Sequence, residues 1–178
     1  MSRIGKRPID IPVGIKVRTK EGLVHVEGGK GKLTYKIPDG IGIRIDDSRI
    51  IVTRSSDTGS QKALHGLMRA LLNNAVKGLT EGFKKELEIE GIGYKAQVQG
   101  RVVSFNLGHT HQIDLAIPEG LDVKIDKQTK ITVTGYDKQR VGQFARIIKE
   151  LKIPDVYKHK GIKYAGELLR KKVGKTGA

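Results

Sequence analysis

The segment IPDGIGIRIDDSRIIVT, Ile37–Thr53, recurs 80 residues later as IPEGLDVKIDKQTKITVT, Ile117–Thr134, with one residue inserted near its end. A repeat at that spacing in a chain of 178 residues implies one small folding unit used twice, each copy near the lower end of the usual domain size. Each copy opens on Ile-Pro-acid-Gly, a turn in which Pro fixes the backbone and Gly permits dihedrals closed to other residues. A strand of period two follows, with Ile41, Ile43 and Ile45 in the first copy and Leu121, Val123 and Ile125 in the second. After a polar turn comes a β-branched strand, Ile50–Thr53 against Ile131–Thr134.

The similarity extends in both directions. Upstream, VHVEG (Val24–Gly28) resembles LEIEG (Leu87–Gly91). Downstream, Leu64, Leu67, Met68, Leu71, Leu72, Ala75 and Val76 form one apolar stripe at helical spacing, and Val141, Phe144, Ala145, Ile148 and Leu151 form another. Strands followed by a single helix, twice over, predict an α+β fold: two tandem copies of a small domain, each an antiparallel sheet covered by one helix on one face. GLTEG, Gly78–Gly82, supplies a helix stop and a link, so the domains are expected at 1–82 and 83–178. With VHVEG matched to LEIEG, Glu27 to Ile37 spans 10 positions and Glu90 to Ile117 spans 27, which predicts an enlarged hairpin in the second domain.

Lys and Arg outnumber Asp and Glu by 34 to 19, a formal charge of +15, so the chain repels itself unless an anionic partner neutralises it. Nucleic acid is the expected partner. No apolar run approaches the ~20 residues of a membrane span, and no signal-type apolar segment follows MSRIGKRPIDIP, so a cytoplasmic location without membrane attachment is expected. The absence of Cys excludes disulfides and thiolate metal sites.

The charge concentrates at the C-terminal end. From Lys152 to Ala178, eight basic residues (Lys152, Lys158, Lys160, Lys163, Arg170, Lys171, Lys172, Lys175) face two acids, Asp155 and Glu167. Tyr157, His159 and Tyr164 lie among them, offering flat faces for bases or sugars beside compact charges for phosphates. The plain alternative is a solvated basic tail. In the hairpin, GIGYK and LGHTH combine glycines, Tyr94, Lys95, His109 and His111, a composition suited to close approach to a phosphate backbone. His109 and His111 alone do not make a metal site, because no Cys or acidic cluster accompanies them. His25 and His65 read as ordinary polar positions on a strand and a helix. GGKGK, Gly28–Lys32, lacks the spacing of a phosphate-binding P-loop and leads into a strand, so it reads as a hairpin turn. No catalytic constellation is present, and neither a cofactor nor a small-molecule substrate is expected.

GIGYKA (91–96), NLGHTH (106–111), DKQRVGQFA (137–145) and PDVYKHKGIKYAGE (154–167) together resemble the successive motifs of the bacterial large-subunit ribosomal protein six family, over essentially the whole chain. That resemblance implies two similar α+β domains and a non-enzymatic role. It implies binding to large-subunit ribosomal RNA, mostly through the C-terminal domain and tail, beside neighbouring large-subunit proteins. It also implies a position near the sarcin-ricin loop and the stalk base, where translation factors dock. Carried over by motif, the expected RNA contacts are Gly91, Gly93, Tyr94, Lys95, His111, Tyr157, Lys158, Lys160, Gly161, Lys163 and Tyr164, joined by His109, His159, Arg170, Lys171, Lys172 and Lys175. The chain departs from the family at His159, where Gly is common, and at His109, where an aromatic is common; imidazole can still stack or donate to phosphate. An RNA chaperone or regulator acting outside the ribosome is the alternative, and a phosphate-handling enzyme built on GGKGK the more distant one.

Overall fold

The computed structural model describes residues 4–46 and 48–175. The chain forms two units: one runs to Gly82 and takes in Tyr136–Lys138, the other comprises Phe83–Gly135 and the chain from Gln139 onward. Both are α+β, with antiparallel strands.

The first unit contains β1 (Ile9–Asp10), β2 (Lys16–Lys20), β3 (Leu23–Gly28), β4 (Gly31–Lys36), β5 (Ile41–Asp46), β6 (Arg49–Arg54) and α1 (Gly59–Thr80). The strands make two sheets, β1-β6-β5 and β2-β3-β4, and α1 packs on strands of both. The period-two patterns place Ile9, Ile41, Ile50, Val52, Val24 and Val26 inside, against Met68, Leu72, Ala75, Val76 and Leu79 of the helix. Leu67 falls off the stripe and is 53% exposed, while His65 takes an interior position at 3%. His65 is no ordinary polar position: its Nε2 donates to the Val52 carbonyl at 2.9 Å and its Nδ1 accepts from the Arg54 guanidinium at 2.8 Å, so both ring nitrogens are satisfied. The GGKGK segment is the hairpin between β3 and β4, with Gly28 opposite Gly31 and Gly29-Lys30 as its two-residue turn. Just beyond the end of α1, Gly82 has a φ of +87° and its amide returns to the Lys77 carbonyl, which closes the helix.

The second unit contains β7 (Phe83–Glu90), β8 (Lys95–Gln99), β9 (Val102–Asn106), β10 (Ile113–Ala116), β11 (Leu121–Asp126), β12 (Lys130–Gly135), α2 (Lys138–Glu150) and β13 (Gly161–Tyr164). Its sheets are β10-β9-β8 and β11-β12-β7-β13. What the sequence reads as one sheet per repeat is therefore two in each unit. Val141, Phe144, Ala145 and Ile148 of α2 close a core with Leu87, Phe105, Leu107, Leu121, Ile131, Val133 and Ile162.

The topology also corrects the matching of VHVEG with LEIEG. Strand β7 lies beside β12 as β1 lies beside β6, and β8-β9-β10 corresponds to β2-β3-β4. On that alignment 27 positions separate Asp10 from Ile37, as they do Glu90 from Ile117, so the hairpin of the second unit is not enlarged. The real addition is β13. Part of the expected basic tail pairs with β7, Gly161 opposite Glu90 through Tyr164 opposite Leu87, and it sinks Ile162 fully into the core.

Truncating a fully buried aliphatic side chain costs about 2–5 kcal/mol. Ile162→Ala should therefore lower the stability of the second unit by that amount in chemical denaturation, and a loss below about 1 kcal/mol would mean that β13 is not part of the core.

Candidate nucleic-acid interface

The pairing of β13 with β7 fixes where the basic residues stand. Antiparallel pairing of Gly161 with Glu90 means that the segment entering β13 and the segment leaving β7 emerge at the same end of the sheet. Residues 155–160 and residues 91–94 therefore meet there. The C-terminal run returns to the same place, because the Lys172 amide donates to the Val156 carbonyl at 2.9 Å.

Tyr94 joins the second hairpin loop to this end. A Cβ on Gly91, whose φ is +150°, would lie 2.5 Å from Cδ2 of the Tyr94 ring, and a Cβ on Gly108 would lie 2.9 Å from its Cε1. The two glycines thus clasp the half-buried ring, which packs on the core, and bring the loop of Gly108, His109 and His111 beside Gly91–Lys95. His109 and His111 are exposed, with ring centroids 6.5 Å apart and an interplanar angle of 29°. No group of three or more His, Asp or Glu residues that could hold a metal ion occurs among the described residues.

The loop before β13 is organised by one acid. Asp155 Oδ1 accepts from the backbone amides of Lys158 and Lys160, each at 3.0 Å, turning the chain so that Tyr157 and Lys158 face solvent. His159 sits in the left-handed region at φ +56°, which explains in backbone terms why glycine suits this position. Its Nε2 is buried without a hydrogen-bond partner, so that nitrogen is not presented outward. At Gly161 a Cβ would lie 2.6 Å from the Lys152 carbonyl oxygen and 2.7 Å from the Pro154 nitrogen, so the requirement for glycine comes from a crossing of the chain over itself.

Lys163 and Tyr164, like Tyr94 and Gly161, are expected RNA-contact residues that are engaged within the fold. Lys163 ion-pairs with Glu90 across β13 and β7, and this hydrogen bond holds the ammonium pKa above its ordinary value. The Tyr164 ring is half-buried with the Lys149 ammonium 4.8 Å and the Lys85 ammonium 5.4 Å from its centroid. Glu167 secures the chain beyond β13: its carboxylate accepts from Lys149 and from the Tyr164 amide, interactions that lower its pKa. Sequence reasoning assigns no role to Glu90 or Glu167; Glu167 carries a signal as one of two acids in the basic segment from Lys152 onward, whereas Glu90 is one of three glutamates in β7 and carries none. Gly93, Lys95, His109, His111, Tyr157, Lys158, Arg170, Lys171, Lys172 and Lys175 are exposed, and Lys160 is half-buried. Ile92, between two glycines, is 91% exposed at the same end.

A family model described as Ribosomal protein L6 matches residues 11–82 and again residues 90–165. The chain belongs to that family. The two matched segments follow the internal repeat. The large ribosomal subunit protein uL6 of Koribacter versatilis is 49% identical over 180 residues, covering 100% of this chain and 99% of that protein. Its namesake from Geobacter sulfurreducens is 48% identical over 177 residues, with 99% of each covered. The protein of the same name from Borrelia hermsii is 49% identical over 177 residues, covering 99% of this chain and 98% of that one. Among the described residues, no helix is long and apolar enough to cross a membrane.

The lowered Glu167 pKa carries a pH signature. Its stabilisation is complete above the ordinary glutamate pKa of about 4.3 and is lost as pH falls through the lower folded value. Hydrogen exchange at Tyr164 and Lys172 should therefore stay slow from neutral pH to about pH 5, after correction for intrinsic rates, and quicken below about pH 4. In Glu167→Gln the same amides should exchange faster already at neutral pH.

Proposed function

We propose that the loop end of the second unit, formed by residues 91–95, 107–111, 155–160 and 170–175, binds ribosomal RNA of the large subunit by neutralising phosphates at several points. As a member of the ribosomal protein L6 family, the chain is a structural constituent of the large ribosomal subunit and not an enzyme, working in the bacterial cytoplasm. The observation that carries the RNA reading is the convergence of Lys95, Lys158, Lys160, Lys171 and Lys172 with exposed Gly93, Tyr157 and His111 at one end of a rigid sheet.

The physical chemistry favours RNA backbone over base sequence. Lysine ammonium groups are compact charges without a planar fork, suited to phosphate oxygens. Gly93 has a φ of +77° and nothing within 4 Å of where a Cβ would stand, so backbone can approach a phosphate there. Tyr157, 52% exposed, is the flat face free to stack on a sugar or base. Lys163 and Tyr164 support this surface from within, through Glu90 and the flanking lysines. Neighbouring large-subunit proteins are further partners, and the family resemblance implies a place near the stalk base and the translation-factor binding region. The protein would shape that region without hydrolysing nucleotide.

Lys158→Ala, Lys160→Ala and Lys172→Ala combined should weaken binding to large-subunit RNA. The slope of log K against log salt should fall by about two to three, on the order of one for each phosphate no longer neutralised. Thermal unfolding of the free protein should be unchanged within about 2 °C, since these side chains make no ion pair among the described residues. An unaltered salt slope would remove the tail from the interface. Co-sedimentation of the intact chain with large subunits in high salt separates a ribosomal constituent from an RNA chaperone.

A further inference from the structure

The first unit carries a second concentration of charge. In the β2-β3-β4 sheet the cross-strand register aligns three rows, Lys16–Glu27–Lys32, Arg18–His25–Thr34 and Lys20–Leu23–Lys36, in the strand order β2, β3, β4. Side chains alternate across a strand, so these nine share one face, while Val24, Val26, Leu33 and Tyr35 pack into the core from the other. Lys16, Arg18, Lys20, Lys32, Thr34 and Lys36 are all exposed. Five cations thus stand with one acid, Glu27, which is paired with Lys32 at 2.8 Å. No side-chain ion pair of Lys16, Arg18 or Lys36 occurs among the described residues, and the pair of Lys20 with Glu21 is a long, open one of 3.5 Å.

On the outward face of the other sheet of this unit, Arg49 is held by Asp10 at 3.0 Å and Arg44 by Asp46 at 3.3 Å, leaving it neutral. On the corresponding sheet of the second unit, the outward residues are Lys95, Gln97, Gln99, Val102, Ser104, Asn106, Asp114 and Ala116, with one cation and one acid in balance. Of these equivalent surfaces, only the β2-β3-β4 face accumulates unpaired cations among the described residues.

We propose that this face is a second RNA-binding surface, one that takes the phosphate backbone of double-helical RNA. Same-face residues lie roughly 7 Å apart along a strand and strands lie about 5 Å apart, so the cations form a flat field of roughly 14 by 10 Å. A protein partner would need buried aromatic or apolar anchors, and this face offers only half-buried Leu23. Single-stranded RNA would call for exposed aromatic platforms, and Tyr35, the aromatic of β4, points into the core. Charge without anchors or platforms matches a regular array of phosphates. The inference rests on the ribosomal RNA reading of the chain but uses residues of the other unit, so the two can fail separately.

The test compares full-length Lys16→Gln/Arg18→Gln/Lys36→Gln with the unchanged chain, titrated with large-subunit ribosomal RNA at several salt concentrations and footprinted on it. The expected result is a salt slope reduced by about two to three, on the order of one for each cation removed, and loss of protection over a duplex segment distinct from any segment lost with the Lys158, Lys160 and Lys172 changes. Lys16→Arg/Arg18→Lys/Lys36→Arg should keep both, which separates loss of charge from a folding defect. An unchanged slope and footprint, while the C-terminal variant still alters them, would overturn this inference alone. Unchanged behaviour in both variants would overturn the RNA reading as well. Loss of binding to polyglutamate with RNA binding intact would assign the face to an acidic protein and overturn the RNA assignment.

Discussion

The four-residue pairing of β13 with β7 determines what the C-terminal part of this protein can do. It buries Ile162 among the residues of a β-sheet core and forces the chain through a crossing at Gly161 that leaves no room for a Cβ. The ion pairs Lys163–Glu90 and Lys149–Glu167 then hold the flanking residues in place. These pairs lie half-buried beside the sheet, where the geometry is set by the strands and little side-chain freedom remains to be lost on pairing. A run that could have been a solvated basic tail becomes an ordered rim on a folded unit.

That order matters for recognising a polyanion. Flexible lysines bind RNA with little preference, whereas cations fixed by a scaffold select the spacing of phosphates that a particular RNA fold presents. Asp155, by capping the amides of Lys158 and Lys160, and the Gly91–Tyr94–Gly108 clasp do for the loops what β13 does for the tail. Acids and glycines in this region serve mainly to build the surface, and the exposed lysines and Tyr157 are what the surface displays.

The repeat and the α+β class were legible because Ile-Pro-acid-Gly and the strand periodicities are local signals, each dictated by backbone chemistry within a few residues. The helix stripes were legible for the same reason. Strand partners were not. VHVEG and LEIEG look alike because both are half-buried strands, yet β3 lies between β2 and β4 while β7 lies between β12 and β13, and nothing local encodes that difference. GIKY was hidden inside a basic run because one buried Ile in four residues leaves no periodicity to read. His65 is interior because Val52 and Arg54, on a strand earlier in the chain, meet its ring. Among the proposed site residues, composition marked out the segments but could not separate exposed residues such as Lys158 from supporting ones such as Lys163 and Tyr164. The alternation in KVRTK and KLTYK was present throughout, and only the register shows that its cations share a face.

The most direct test is hydrogen–deuterium exchange of the full chain, free and bound to large-subunit ribosomal RNA. The account predicts that Ile162–Tyr164 is already protected in the free protein, and that RNA adds protection at 91–95, 107–111 and 155–160 while leaving the outer strand β11 unchanged. Rapid exchange through 161–164 in the free protein, or added protection confined to residues away from that end of the sheet, would contradict it.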